Sequence, residues 1–206
     1  MNFKLEQKVK VIVSYELANT ILQILNTEKY KKPMVAIDSF LVNTPIIQEM
    51  LTLLKENSFD YFLYDKIVSN PPADVIDYGA KLFSENNCDS IIGIGGGSAI
   101  DSARGINIIR TLGGNISDYV FEKKVSKFCK GLIAVPTTSG TGSELSNALI
   151  VSDPETHEKL AVLSNNAVSE YAVLDPNLVI TLPKSMTAST GLDAFSHAAE
   201  GYTSNL

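Results

Sequence analysis

The chain has 206 residues, of which 45% are hydrophobic and 19% are charged, so it can bury a core of ordinary globular composition. Its 17 basic and 23 acidic residues leave a net charge of −6, and Arg104 and Arg110 are its only arginines. This balance disfavours binding to nucleic acid or to an anionic membrane surface. No apolar run reaches the roughly 18 residues of a membrane span, and the first residues do not have the layout of a signal peptide.

The two cysteines, Cys88 and Cys129, lie far apart and do not have the spacing of a metal or redox site. Both lie in apolar stretches of the sequence. We therefore expect reduced thiols and a cytoplasmic location.

Short apolar runs alternate with helical patterns along the first two thirds of the chain. The runs have the continuous apolar character of strands buried on both faces, and they cover residues 34–37, 61–64, 90–94 and 132–135. Apolar residues recur at helical spacing in residues 17–25, 46–54, 75–83 and 100–107. This alternation predicts an α/β fold, a doubly wound, mostly parallel sheet with helices on both faces. In such sheets, ligands bind beyond the carboxyl ends of the strands.

The pattern changes after residue 145. Runs of β type at residues 149–151 and 172–174 flank the polar stretch 153–158, which indicates a β-hairpin or an irregular β region. A helical pattern returns after Pro183 and continues to about Tyr202.

A glycine loop follows the strand at residues 90–94, which we count as the third strand of the sheet. Residues 95–98 (GGGS) stand between this strand and an amphipathic helix. Glycines let the backbone approach a ligand closely, and a helix amino terminus favours phosphate. The match to known phosphate loops is only partial, because a P-loop lysine and the third glycine of the usual dinucleotide fingerprint are absent. A tight turn without a ligand is therefore an equal alternative for these residues alone.

A second loop, residues 136–144 (PTTSGTGSE), follows the strand at residues 132–135. Its hydroxyls and glycines suit hydrogen bonds to phosphate and ribose oxygens, although a polar loop capping the next helix would look the same. Residues 138–141 are also similar to the phosphate loop of adenylate-forming ligases, but Glu144 stands where a lysine would be useful. Ser143 is a poor candidate nucleophile, because no Gly-x-Ser-x-Gly motif surrounds it.

Asp193 and His197 lie four residues apart in a helical pattern, which places both on one face of the helix. A carboxylate and an imidazole at this distance can ligate one divalent metal ion, and an ordinary helical ion pair is the alternative. A catalytic metal needs about three protein ligands, and the only other histidine is His157.

Three motifs together resemble the iron-containing (group III) alcohol dehydrogenases. They are residues 95–104 (GGGSAIDSAR), residues 136–144 and residues 191–202 (GLDAFSHAAEGY), which occur in the order of that family. The resemblance spans residues 36 to 206 and implies the dehydroquinate synthase-like fold. It departs from the family in two places: Arg104 replaces a usual lysine, and no glycine-rich turn is found near residues 14–17.

The resemblance implies a role for residues spread over most of the chain. It implies that Asp38 contacts the adenosine ribose and that Asn70 contacts the nucleotide. It also implies that Lys159 lies near the nicotinamide and that Leu178 makes an apolar contact with the cofactor. It implies that the pyrophosphate loop consists of Gly95, Gly96, Gly97, Ser98 and Asp101, and that the second cofactor loop contributes Thr137, Thr138 and Thr141. Asp193 and His197 would be two of four metal ligands, with no further catalytic residue.

These implications predict an NAD-dependent alcohol dehydrogenase that acts on a small primary or secondary alcohol or aldehyde with Fe²⁺ or Zn²⁺ and forms a homo-oligomer. A carboxylate at Asp38 favours NAD over NADP, because it accepts bonds from a ribose 2′-hydroxyl and repels a 2′-phosphate. Family members are about twice this length. We therefore expect this chain to be the N-terminal part of such an enzyme and to be inactive alone. We expect a dinucleotide-binding domain at residues 1–182 and the beginning of a helical metal-binding domain at residues 183–206.

Two other functions stay open at this point. Glycerol dehydrogenases and dehydroquinate synthases share the glycine loop and the metal-bound cleft, although the second loop and the Asp-x-x-x-His helix favour the alcohol dehydrogenases. A nucleotide-binding module without catalysis is the alternative from a different class.

Overall fold

The computed structural model describes residues 7–121, 123–153, 155–156 and 158–204, so His157 lies outside the described residues. The strands and helices alternate in the first two thirds of the chain, apart from a short 3₁₀ turn at Ser39–Leu41 and the two consecutive helices before residue 122. In chain order they are β1 (Lys10–Val13), α1 (Leu17–Glu28), β2 (Pro33–Ile37), α2 (Pro45–Glu56), β3 (Phe62–Tyr64), α3 (Ala73–Glu85), β4 (Ser90–Gly95), α4 (Gly97–Leu112), α5 (Ile116–Phe121), β5 (Leu132–Pro136), β6 (Ala148–Ser152), β7 (Lys159–Leu163), β8 (Tyr171–Leu174), α6 (Asn177–Ile180) and α7 (Lys184–Thr203).

The main sheet has six strands in the order β1-β8-β5-β4-β2-β3, and every neighbouring pair is parallel. All six carboxyl ends therefore lie along one edge of the sheet. The predicted α/β class with a parallel sheet is confirmed.

Strand β2 shows how the sheet separates two layers of core. Met34 and Ala36 belong to one buried cluster, which includes side chains of α3, α4 and α5. Val35 and Ile37 belong to the other, which includes side chains of α1 and α2. Successive strand residues point to opposite faces, so a fully apolar strand is required where helices cover both sides.

The predicted hairpin is present, but its second strand differs from the expected one. Strands β6 and β7 pair antiparallel, with Ile150 opposite Ala161. The run at residues 172–174 instead becomes β8 and enters the main sheet between β1 and β5. Strand β1 was missed as well, so the glycine loop follows the fourth strand and not the third. Three of the four residues of β1 are exposed, which removes the continuous apolar signal of a central strand.

Helix α7 lies at the end of the described chain and has no buried residue. None of the helices in the described ranges is long and apolar enough to cross a membrane.

Candidate functional site

The glycine loop and the second loop meet at the carboxyl edge of the sheet. Strands β4 and β5 are neighbours, and their last residues, Gly95 and Pro136, are in register. The backbone N–H of Thr137 donates to the carbonyl oxygen of Gly95 at 2.9 Å. The two loops are therefore joined directly where the strands end.

Glycine is required at position 95 for two reasons. Its φ angle is +149°, which L side chains rarely adopt. A Cβ atom there would also collide with the carboxylate of Asp38 and would come within 2.5 Å of the Cβ of Ala99. The backbone thus passes close to Asp38 before α4 begins at Gly97.

Gly97 packs closely against the second loop. A Cβ atom built on it would lie 3.0 Å from Oγ of Ser143 and 3.3 Å from Oγ1 of Thr141. Gly96 precedes α4 as its N-cap residue, and the first N–H groups of any helix lack partners within the helix. The helix amino terminus and the hydroxyls of the second loop thus lie side by side, and together they form a surface suited to phosphate oxygens.

Asp38 follows β2 at the same edge of the sheet. Burial raises the pKa of Asp38, and a hydrogen bond from the backbone of Gly96 partly offsets that effect. The carboxylate therefore lies beside the glycine loop and is only partly exposed to solvent.

Asn70 reaches the start of α4 from the loop after β3. Its backbone N–H donates to Oγ of Ser98 at 3.2 Å, and its φ angle of +50° is in the left-handed region. Ser102 donates its hydroxyl to the carbonyl oxygen of Ser98 at 2.8 Å. Asn70, Ser98 and the glycine loop are thus brought together.

Thr138 places a hydroxyl without a partner among the described residues at this edge. Its Oγ1 is buried and has no hydrogen-bond partner within the described part of the chain. The side chain lies over Gly96, with its Cγ2 3.5 Å from the position of a built Cβ. A buried hydroxyl without a partner is costly, so the site fits a ligand that brings a polar oxygen to this point.

Asp101 is buried one turn into α4 and uses both carboxylate oxygens within the protein. Oδ1 lies 3.3 Å from Nη1 of Arg104, and Oδ2 accepts the backbone N–H of Ile150 in β6 at 3.2 Å. Burial raises the pKa of Asp101 to about 6, against the lowering effects of Arg104 and of the Ile150 N–H. This carboxylate therefore contacts the hairpin.

A cavity of about 420 Å³ lies beside the second loop, between the strand ends and α7. That volume falls in the range of about 300–1,000 Å³ typical of small-molecule sites. Its lining comes from the ends of β1, β5 and β8, the second loop, α6 and α7, and includes Val13, Pro136, Thr138, Asp175, Val179 and Ala194. Val13, Asp175 and Val179 were not predicted from the sequence, although the rule about strand ends could have indicated Asp175.

The predicted metal pair lies on α7. Nε2 of His197 is 3.7 Å from Oδ1 of Asp193, and 57% and 44% of these two side chains are exposed. Carboxylate and imidazole donors suit a divalent metal in kind. Within the described ranges, however, no group of three or more His, Cys, Asp or Glu side chains is placed to hold a metal.

Lys159 and Leu178 lie apart from the contacts that join the two loops. Lys159 begins β7, where it pairs with Ser152 and is exposed. Leu178 is buried in the core cluster under α1 and α2, while its neighbour Val179 lines the cavity.

Comparison with known proteins identifies relatives of one family. The family model of the iron-containing alcohol dehydrogenases matches residues 9–176. Alcohol dehydrogenase 4 of Schizosaccharomyces pombe is 37% identical over 85% of this chain and 42% of its own length. The NAD-dependent methanol dehydrogenase of Bacillus methanolicus is 33% identical over 84% of this chain and 45% of its own. The chain thus spans less than half the length of these two curated relatives.

Solved structures share the fold. An alcohol dehydrogenase from Oenococcus oeni is 33% identical, with a TM-score of 0.91 over 99% of this chain and 54% of its own. A sulfoacetaldehyde reductase from Bifidobacterium kashiwanohense, solved in complex with NAD⁺, is 26% identical, with a TM-score of 0.88 over 98% of this chain and 54% of its own.

Proposed function

The chain belongs to the iron-containing alcohol dehydrogenase family, as its three motifs predicted, and from this premise we propose that it binds NAD for a metal-dependent alcohol dehydrogenase. The observation that carries the proposal is the buried, unpartnered hydroxyl of Thr138, which lies over Gly96 where the two loops meet. The reaction would be hydride transfer between an alcohol or aldehyde and the cofactor, and a bound nicotinamide would supply the hydride chemistry.

The diphosphate would lie against the junction of the two loops. Backbone N–H groups at the start of α4 would donate to its oxygens, and the hydroxyls of Thr138 and Thr141 would face it from the second loop. On the side of the glycine loop, the backbone would approach the diphosphate closely at Gly95, Gly96, Gly97 and Ser98. One ring of the dinucleotide would fill the cavity against Pro136 and Val179. The contacts of Asn70, Asp101, Thr137, Lys159 and Leu178 with the cofactor stay predictions.

Asp38 would select NAD. It follows β2 and lies against the glycine loop, where a carboxylate can accept hydrogen bonds from ribose hydroxyls and repel a 2′-phosphate.

We derive no step through the metal ion. Asp193 and His197 would contribute a carboxylate and an imidazole to it, with Fe²⁺ or Zn²⁺ as the ion, but a catalytic centre needs about three protein ligands. We therefore expect the chain alone to show little or no alcohol oxidation, even with either metal added. Robust turnover by this chain alone would contradict that expectation.

The domain division and the cellular location of the protein are part of the same proposal. Residues 1–182 form the dinucleotide-binding domain, and the start of a helical metal-binding domain follows Pro183, consistent with the absence of buried residues in α7. The location is the cytoplasm, where the buried thiols of Cys88 and Cys129 stay reduced.

Leu192 and Phe195 expose 66% and 70% of their surface on α7, which favours association between copies. Light scattering that finds only a monomer would contradict the association.

The proposed function is tested by titrating the chain with NADH and following cofactor fluorescence. NADH binds, and Thr138→Val, which removes the hydroxyl at nearly constant shape, weakens binding about fivefold to tenfold because a net hydrogen bond contributes about 1 kcal/mol. Ser169→Ala is the matched control, since Ser169 carries another buried hydroxyl without a partner in the described chain but lies before β8, at the opposite edge of the sheet. No NADH binding, or equal binding by both variants, would contradict the proposal.

A further inference from the structure

Arg104 is the only buried basic side chain among the described residues. It lies on α4, two turns after the glycine loop, with none of its side chain exposed. Burying a guanidinium costs free energy, so its position calls for a role in holding other groups.

The guanidinium fork of Arg104 holds two carbonyl groups that are far apart in the sequence. Nη2 donates to the carbonyl oxygen of Ser143 in the second loop. Nη1 donates to the carbonyl oxygen of Ala148, where β6 begins. Arginine can span two acceptors in this way because its five N–H donors have a fixed planar geometry.

Asp101 completes the connection between α4 and the hairpin. Its Oδ1 balances the charge of Arg104, and its Oδ2 accepts the backbone N–H of Ile150. The pair therefore ties three segments together: the helix that begins at the glycine loop, the second loop and β6.

The carbonyl held by Arg104 belongs to the residue that faces the glycine loop. Oγ of Ser143 would be 3.0 Å from a Cβ atom on Gly97. We propose that Arg104 is a positioning residue that fixes the second loop against the glycine loop by holding Ser143, and so shapes the surface that takes the cofactor's diphosphate. This inference rests on the proposed function, since it concerns the same surface.

The experiment uses the full 206-residue chain: NADH binding is titrated directly, and ADP and adenosine are measured by their competition with NADH. Arg104→Met and Arg104→Lys are the variants, since methionine removes every donor and lysine keeps the charge but cannot span both carbonyls. Arg110→Met and Arg110→Lys are the matched controls. Arg110 lies on the same helix and also holds two backbone carbonyls, of Asp89 and Lys130, but at the amino edge of the sheet.

Arg104→Met weakens the binding of ADP and NADH at least tenfold, and Arg104→Lys weakens it less. The affinity for adenosine, which has no phosphate, changes less than twofold in both variants. The Arg110 variants leave all three affinities within twofold. If Arg104→Met does not fold, Arg104→Lys carries the same comparison of ADP with adenosine. Equal losses for ADP and adenosine, or Arg104 variants that match the Arg110 variants, would overturn the inference. Failure of the unchanged chain to bind NADH would instead overturn the proposed function.

Discussion

The carboxylate of Glu28 lies 2.8 Å from the ammonium group of Lys130, at the edge of the sheet opposite the two loops. Glu28 ends α1, and it also accepts the hydroxyl of Tyr171 and the ammonium group of Lys10 at the first residues of β8 and β1. One carboxylate therefore links a helix to three segments at the amino ends of the strands. This cluster contributes to stability, away from the candidate site.

We predict that Glu28 makes the protein sensitive to acid. Hydrogen bonds from Lys130, Tyr171 and Lys10 lower the pKa of Glu28 to about 2. A lowered folded-state pKa contributes stability above the unfolded value, near 4.5, which is lost as the pH falls toward 2. Because both lysines are more than half exposed, water screening limits the contribution to about 1 kcal/mol.

Urea unfolding of Glu28→Gln between pH 2 and pH 7 measures this contribution. The variant is less stable than the unchanged chain at pH 7, and the difference disappears near pH 2. Glu56→Gln, at the exposed end of α2 and outside this cluster, is the control. A difference that stays constant with pH would exclude the proposed role of Glu28.

We predict the opposite pH dependence for Asp101. Burial raises its folded-state pKa to about 6, so the folded protein favours the protonated form. That contribution is complete below the unfolded pKa, near 3.8, and is lost as the pH rises through about 6. The free energy of unfolding of the unchanged chain therefore falls relative to Asp101→Asn between pH 4 and pH 6, by at most about 3 kcal/mol. A relative rise across that interval would contradict the prediction.

Much of this fold could be predicted because the central strands are buried on both faces. Strands β2, β4 and β5 are apolar runs that are buried throughout. Strand β4 ends at Gly95 and β5 at Pro136, and Asp38 follows the last residue of β2. Strands β1 and β7 escaped prediction, since one lies at the sheet edge and the other in an exposed hairpin, where apolar residues are not required on both sides.

The candidate site was also predictable only in part. The glycine loop and the second loop were identifiable as motifs, and the parallel strand order brings them together. The contacts of Arg104 with Ser143 and Ala148 depend on the fold, since 39 and 44 residues separate the partners in sequence. The sequence places Arg104 in the helical pattern three residues after Asp101, but it does not reveal which carbonyl groups the arginine meets.

Gly95→Ala should destabilise the protein strongly. The added Cβ meets both the carboxylate of Asp38 and the Cβ of Ala99, at a φ angle that alanine rarely adopts. We expect a loss of about 2–4 kcal/mol in the free energy of unfolding, combining strain and overpacking. Gly191→Ala in α7 is the control: nothing lies within 4 Å of its built Cβ, so it should be neutral or gain up to about 1 kcal/mol. Equal stability of the two variants in chemical denaturation would show that position 95 has room for a side chain.

Asp38→Asn should weaken the preference for NADH over NADPH. The change removes the negative charge beside the glycine loop but keeps the size of the side chain, so repulsion of a 2′-phosphate is lost and one strong acceptor for the ribose hydroxyls is weakened. We expect NADH to bind about threefold to tenfold less tightly and NADPH to bind more tightly, as measured by fluorescence titration of each. Asp77→Asn is the matched control, because burial also raises the pKa of Asp77, but its carboxylate accepts the backbone N–H of Ile116 on the far side of α3. If Asp38→Asn changes both affinities by the same factor, or if Asp77→Asn shifts the preference equally, the carboxylate of Asp38 does not choose between the two cofactors.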